Sequence, residues 1–285
     1  MNIIKPISVA EQMRNVIITH DAYAKVVNGC IKIIQSGERI NRSNKGIAIM
    51  GSGGTGKSTA IEHLKSYLNK KYAGQFNAPV LLTKVSSDTT IKSFYIGILG
   101  ELNHPITDKR EDKNITADKL QKLVVCALKG HVGTLFIDEV SDVFSNRNKK
   151  QFAQDFLVMI KHLLSDTSIN IILVGTPALE QLFEIADEQF RTRFPSKFEL
   201  PIFAMDTSWV RLLNDYVAQT TKIYDISILP NLFPQLHEWT GGNLRNLANL
   251  LTTAIDVAEE EKAPALTAQH LLDARDIIFP SLMAA

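Results

Sequence analysis

Cysteine is nearly missing from this chain: two in 285 residues, Cys30 and Cys126, far apart and in no Cys-x-x-Cys arrangement. That excludes a disulfide scaffold and a thiolate metal cluster. Both are expected to be small buried hydrophobes in a reduced, cytoplasmic setting. Membrane-length hydrophobic runs are also lacking. Stretches such as Ile171-Ile172-Leu173-Val174 fall far short of the roughly 20 apolar residues that cross a bilayer, so no membrane partner is expected. The first residues, Met1-Asn2-Ile3-Ile4-Lys5-Pro6, hold no apolar core of signal-peptide length. Nor is there an excess of either charge. The 31 Lys/Arg against 30 Asp/Glu leave a net +1, which argues against a grossly basic nucleic-acid binder. Charge is nevertheless uneven. Residues 1–45 carry seven basic against three acidic residues, +4, while residues 206–285 carry five against ten, −5. The pattern is compatible with one anion-facing side and one solvated side.

What remains is an ordinary globular composition, 45% hydrophobic and 21% charged, with room for a large α/β domain and a small helical one. Apolar runs at 47–50, 80–85, 134–137, 170–174 and 198–200 read as strands. Amphipathic spacing between them predicts helices at about 21–36, 59–72, 91–102, 117–129 and 150–164, with a polar loop at 103–114. Strands alternating with helices imply a parallel sheet covered on both faces. From Asp206 onward only helices are expected, at about 207–222, 231–239, 243–260 and 267–279. The chain thus divides into an N-terminal helical segment (1–45), an α/β nucleotide-binding domain (46–205) and a helical lid (206–285).

One motif dominates. Gly51-Ser52-Gly53-Gly54-Thr55-Gly56-Lys57-Ser58 lies between an expected strand and an expected helix, the context a phosphate loop needs. Its glycines let consecutive backbone N–H groups turn inward on a β-phosphate, and the helix start adds partial positive charge. Lys57 would reach the β- and γ-oxygens. Ser58 would hold Mg²⁺, and Thr59 completes the ATP-binding stretch. A glycine-rich turn followed by a lysine is the bland alternative.

In parallel sheets ligands gather at the carboxyl ends of strands. Asp138-Glu139 ends one strand, and Thr176 ends the next. Asp138 would bind the magnesium, and Glu139 would polarise the attacking water. Paired acids after a strand also make ordinary surface turns. Thr176 would sit between water and γ-phosphate, or cap the helix near Ala178. Arg191 and Arg193 are candidates for touching a neighbouring subunit's γ-phosphate, with surface salt bridges as the alternative for each. Arg245, after Gly241-Gly242-Asn243-Leu244, would report on the γ-phosphate from the lid. His20 and Tyr23, ahead of the first strand, are candidates for the border of the adenine. Phe94, Tyr95, Trp209, Tyr216, Phe233 and Trp239 have the spacing of core residues.

In order, the phosphate loop, Leu135-Phe136-Ile137-Asp138-Glu139, Leu173-Val174-Gly175-Thr176-Pro177, the arginine pair and the lid arginine resemble the AAA+ ATPases. Residues 171–177 and 187–195 look most like the TniB/TnsC transposition regulators, and the resemblance covers about residues 20–280. Thr176 departs from the asparagine found there in many AAA+ proteins, and two arginines compete for the finger role. The resemblance implies slow ATP hydrolysis to ADP and phosphate, stimulated by DNA or a partner. It implies assembly on duplex DNA as a homo-oligomeric ring or helical filament, target marking, recruitment of a transposase alongside a target-selection protein, and disassembly on hydrolysis. A CRISPR-associated element is one setting. DNA contacts would then fall on Lys92, with Lys119, Lys122, Lys149 and Lys150 as further candidates, or each is an ordinary solvated lysine. A helicase-loader-like ATPase and a nucleotide-gated signalling ATPase are the competing readings.

Overall fold

Five strands share one parallel sheet in the computed structural model, which describes residues 8–40, 46–105, 115–145 and 149–280. Parts of the polar stretch before the first strand and of the expected 103–114 loop lie outside the described residues. In chain order the elements are α1 (Val9–Arg14), α2 (Asp21–Ile40), β1 (Gly46–Gly51), α3 (Lys57–Lys71), β2 (Ala78–Lys84) and α4 (Ile91–Glu101). They continue with α5 (Ala117–Leu128), β3 (Val132–Asp138), α6 (Lys149–Asp166), β4 (Asn170–Gly175), α7 (Glu180–Ile185), α8 (Glu188–Arg193) and β5 (Ser196–Leu200). Helices α9 (Thr207–Thr220), α10 (Phe233–Thr240), α11 (Leu244–Glu260) and α12 (Ala268–Ile278) complete the chain.

The strand order is β2-β3-β4-β1-β5. Interior strands of such a sheet are covered on both faces, so they read as unbroken apolar runs. All seven positions of β3 are buried, whereas edge strand β5 alternates. Successive side chains point to opposite faces and feed two cores. Leu135, Ile137, Ile171 and Leu173 join Phe94, Leu120 and Phe156 on one side. Phe136, Ile172 and Val174 join Val26, Cys30, Leu64 and Leu68 on the other.

Two compact units follow from the packing. Residues 22–52 and 57–200 form the α/β unit. The described residues up to Asp21, the loop Gly53–Gly56 and the residues from Pro201 on form the helical unit. The described residues before β1 are therefore shared: α2 covers the sheet, while α1 packs on α11. Ala10 and Met13 of α1 are buried with Trp209, Leu213, Leu250 and Leu271. The Ala10 N–H donates to Glu259 Oε2 at 3.3 Å, and the Trp209 indole N–H donates to the Phe233 carbonyl at 3.0 Å. A residue of that size, wholly buried and hydrogen-bonded, contributes about 3–5 kcal/mol against truncation to alanine.

Candidate active site

The phosphate loop leaves β1 at Gly51 and enters α3 at Lys57, as its sequence requires. Gly54 and Gly56 adopt φ of 80° and 95°, left-handed values that turn the backbone without a Cβ penalty. The Lys57 ammonium donates to the Gly51 and Ser52 carbonyls at 2.6 and 2.9 Å. Ser58 and Thr59 are exposed at the start of α3. Within the helical unit, Asn243 Nδ2 donates to the Gly53 carbonyl at 2.7 Å. The Arg245 N–H donates to the Gly54 carbonyl at 3.1 Å and to Asn243 Oδ1 at 3.0 Å. A Cβ on Gly54 would stand 2.3 Å from Asn243 Oδ1, so glycine is needed there for close approach as well as for its φ.

Strand order brings the remaining groups together in the α/β unit. β4 lies between β3 and β1, so Asp138, Thr176 and Gly51 all fall at the carboxyl ends of three adjacent strands. Asp138 is buried, and its Oδ1 accepts the Glu139 N–H at 2.9 Å. Glu139 is exposed and adopts φ 55°, a left-handed conformation that costs a non-glycine residue about 1–2 kcal/mol. Buried Val140 and Val143 anchor the 3₁₀ turn that follows, holding the glutamate in this orientation. Thr176 precedes a 3₁₀ turn, Pro177–Leu179, but its hydroxyl makes no cap bond to it. Instead it donates to Ser141 Oγ at 2.8 Å.

A family model described as "Bacterial TniB protein" matches residues 8–205. The chain belongs to the TniB family. No curated protein matches this TniB-family chain. Among solved structures, the Aeropyrum pernix ORC2 protein in its ADP form is similar with a TM-score of 0.69 and 17% identity, over 93% of this chain and 72% of that one. The A. pernix ORC1 protein in complex with DNA gives 0.67 and 14%, over 95% and 68%. The Thermotoga maritima RuvB branch-migration motor gives 0.54 and 13%, over 89% and 69%. The fold is that of an AAA+ P-loop ATPase: a parallel sheet flanked by helices with a helical C-terminal part.

The two arginines of this TniB chain differ in their surroundings. Arg193 donates to Ser165 Oγ at 2.8 Å and to the Lys161 carbonyl at 3.3 Å. The Arg191 guanidinium is exposed and makes no side-chain hydrogen bond or ion pair among the described residues, although its charge acts on the nearby Asp187 carboxylate. Their helix is fixed by Phe190, stacked on Phe194 at 4.7 Å, and by its N-cap Asp187. A hydrogen bond from Lys161, then one from the Phe190 N–H, holds the Asp187 carboxyl below the usual range. Arg245 is exposed in the first turn of α11, in the same unit as Gly53–Gly56. Lys119, Lys122, Lys149 and Lys150 are exposed near the starts of α5 and α6, and Lys92 is half-buried in the first turn of α4. Thr90 and Ser93 form a capping box around that turn.

Among the described residues no group of three or more His, Cys, Asp or Glu gathers to hold a metal. Mg²⁺ in nucleotide sites binds through one or two protein oxygens plus substrate phosphates. Buried Asp138 at a strand end and the Ser58 hydroxyl are donors of the right kind. Tyr23, a candidate for the border of the adenine, belongs to α2. It is buried between α2 and α3, with its hydroxyl on His63 Nδ1 at 3.1 Å and the Thr59 carbonyl at 3.4 Å. Two site residues escaped sequence reasoning. Asn243 carried a readable signal, a capping residue before an apolar helix. Ser141 carried none, because only the fold places it against Thr176.

Proposed function

We propose that this chain hydrolyses ATP, and that its ATP-bound copies assemble on duplex DNA to regulate transposition, recruiting or activating a transposase and dispersing after hydrolysis. One observation carries the ATPase reading: the loop leading to Lys57, the pair Asp138–Glu139 and Thr176 stand at the carboxyl ends of three adjacent strands. The loop amides and the start of α3 hold the β-phosphate. Lys57 exchanges its Gly51 and Ser52 carbonyls for phosphate oxygens, with which its charge pairs more strongly. Ser58 and Asp138 would hold magnesium, which when bound neutralises phosphate charge. Glu139 accepts a hydrogen bond from the water that attacks the γ-phosphorus, and ADP leaves.

The family supports the transposition setting, and the A. pernix ORC1 protein solved in complex with DNA supports a DNA-facing surface. Lysines 92, 119, 122, 149 and 150 would meet phosphates there, which gives affinity without sequence preference. Arg191 serves as the finger toward a neighbouring copy, since Arg193 is already spent on α6. Arg245 senses the γ-phosphate. The test is sedimentation or negative-stain imaging with duplex DNA under ATP, a non-hydrolysable analogue and ADP. Assemblies that require the triphosphate are expected. Particles indifferent to duplex in all three states count against the DNA role, and preference for single strands favours a helicase-loader role instead.

A further inference from the structure

Ser141 lies two residues after Glu139 and is bound to Thr176 at three points. Its Oγ accepts the Thr176 N–H at 2.8 Å and the Thr176 hydroxyl at 2.8 Å, and donates to the Thr176 carbonyl at 3.3 Å. The serine is buried. It also sits flush against the end of β4: a Cβ added at Gly175 would stand 2.6 Å from Ser141 Oγ.

A proton count gives this arrangement its meaning. A serine or threonine hydroxyl has one proton to give and two lone pairs to accept with. Ser141 gives its proton to the Thr176 carbonyl, so the proton between the two hydroxyls is Thr176's own. Thr176 is thereby left with lone pairs alone for any further partner. A group in that state accepts from water but offers nothing to a phosphate oxygen.

We propose that Ser141 is a positioning residue that fixes the Thr176 hydroxyl as an acceptor for the attacking water. Thr176 then shares with Glu139 the orientation of that water and does not bind the γ-phosphate. The same serine ties the turn after Glu139 to the end of β4, so the two acceptors are set by one side chain. The proposal rests on the ATPase reading of this site.

The test compares the wild-type chain with Ser141→Ala, Thr176→Val and the double variant, measuring steady-state turnover with ATP and affinities for ADP and a non-hydrolysable triphosphate. Ser141→Ala is expected to lower kcat about tenfold with KM changed less than about twofold, since water orientation matters in the transition state rather than in substrate binding. Thr176→Val is expected to lower kcat at least as far while leaving the analogue-to-ADP affinity ratio at its wild-type value. The double variant should be no slower than Thr176→Val alone, because Ser141 acts through Thr176. Unchanged turnover in Ser141→Ala, additive losses in the double variant, or a lowered analogue-to-ADP ratio in Thr176→Val each overturn the proposal. Should Ser141→Ala fail to fold, the Thr176→Val affinity ratio decides by itself. A wild-type chain that binds no ATP removes the site altogether. One that turns ATP over as fast as its Ser141→Ala variant removes only the role of Ser141.

Discussion

Glu139 holds two demands in one residue: a carboxylate for the chemistry and a backbone conformation that suits glycine. Glu139→Gln keeps shape and removes charge. It should retain ATP binding while turnover falls about 10²–10⁴-fold, the usual worth of a positioned acid–base group, as checked by steady-state hydrolysis and nucleotide titration. Glu139→Gly separates the other demand. Relieving the left-handed strain should stabilise the α/β unit by about 1 kcal/mol, raising its melting temperature by a few degrees while hydrolysis is lost. A melting temperature equal to or below that of the wild type would show that the strain is compensated elsewhere.

His20 offers a pH test at the same scale. Burial lowers its pKa below the ordinary 6.5, against a smaller opposing pull from Asp21, and its ring meets Phe203 edge-on at 4.9 Å. The folded state therefore binds its proton less readily than the unfolded chain does. Stability associated with His20 is fully present above 6.5 and declines as pH falls through the depressed folded value. Melting of the helical unit should drop between pH 7 and pH 5, and His20→Phe should flatten that part of the profile. An unchanged slope in the variant would assign the drop to other groups.

Among the elements, α11 meets Gly53 and Gly54 at its start. Asn243 caps the helix with Oδ1, which accepts from the Arg245 and Asn246 N–H groups, and steadies Gly53 with Nδ2. Two substitutions separate these duties. Asn243→Ala loses both, and should cost about 1 kcal/mol of helix stability together with nucleotide affinity. Asn243→Asp keeps the cap but sets a carboxylate beside the Gly53 carbonyl and near incoming phosphates. It should melt like the wild type and bind ATP more weakly, as read by calorimetry. Equal affinities would mean that the Gly53 contact is incidental.

The same scale shows what could be read beforehand. The five strands and the long helices were legible because apolar runs such as 134–137 and amphipathic stretches such as 150–164 are long enough to show a period. The six-residue helices α1, α7 and α8 are too short for that. Their ends are set by side-chain caps such as Ser8 and Asp187, and their packing by contacts distant in sequence. The places of Gly51–Ser58, between β1 and α3, and of Asp138–Glu139, at the end of β3, were legible because their sequence signals are local. The surroundings of Tyr23 were not legible, for the converse reason. A position ahead of β1 says nothing about which way a ring points, and this one turns inward to α3.

At the scale of the whole molecule, the finger role proposed for the exposed Arg191 requires a second copy. In a head-to-tail assembly, each active interface needs a sound phosphate loop from one subunit and a sound finger from the next. Arg191→Ala and Lys57→Ala should each be inactive alone, yet an equal mixture should recover about a quarter of wild-type turnover by random pairing. No recovery at any ratio would place Arg191 outside the neighbouring site, and recovery by Arg193→Ala instead would reverse the assignment. Assembly on DNA should also weaken steeply with added salt, and Lys119→Glu with Lys122→Glu should make it weaker still. A salt-independent assembly would rule out phosphate contacts as its basis.

The packing of α1 on α11 sets a limit on how this chain can be cut. The family model spans 8–205, a tempting pair of endpoints for a minimal ATPase fragment. Such a fragment would keep Ala10 and Met13 but discard every helix that shelters them. It would also strip Gly53 and Gly54 of the Asn243 and Arg245 groups that meet them. A sound excision would have to run on through α11, so the borders of sequence similarity are poor scissors here.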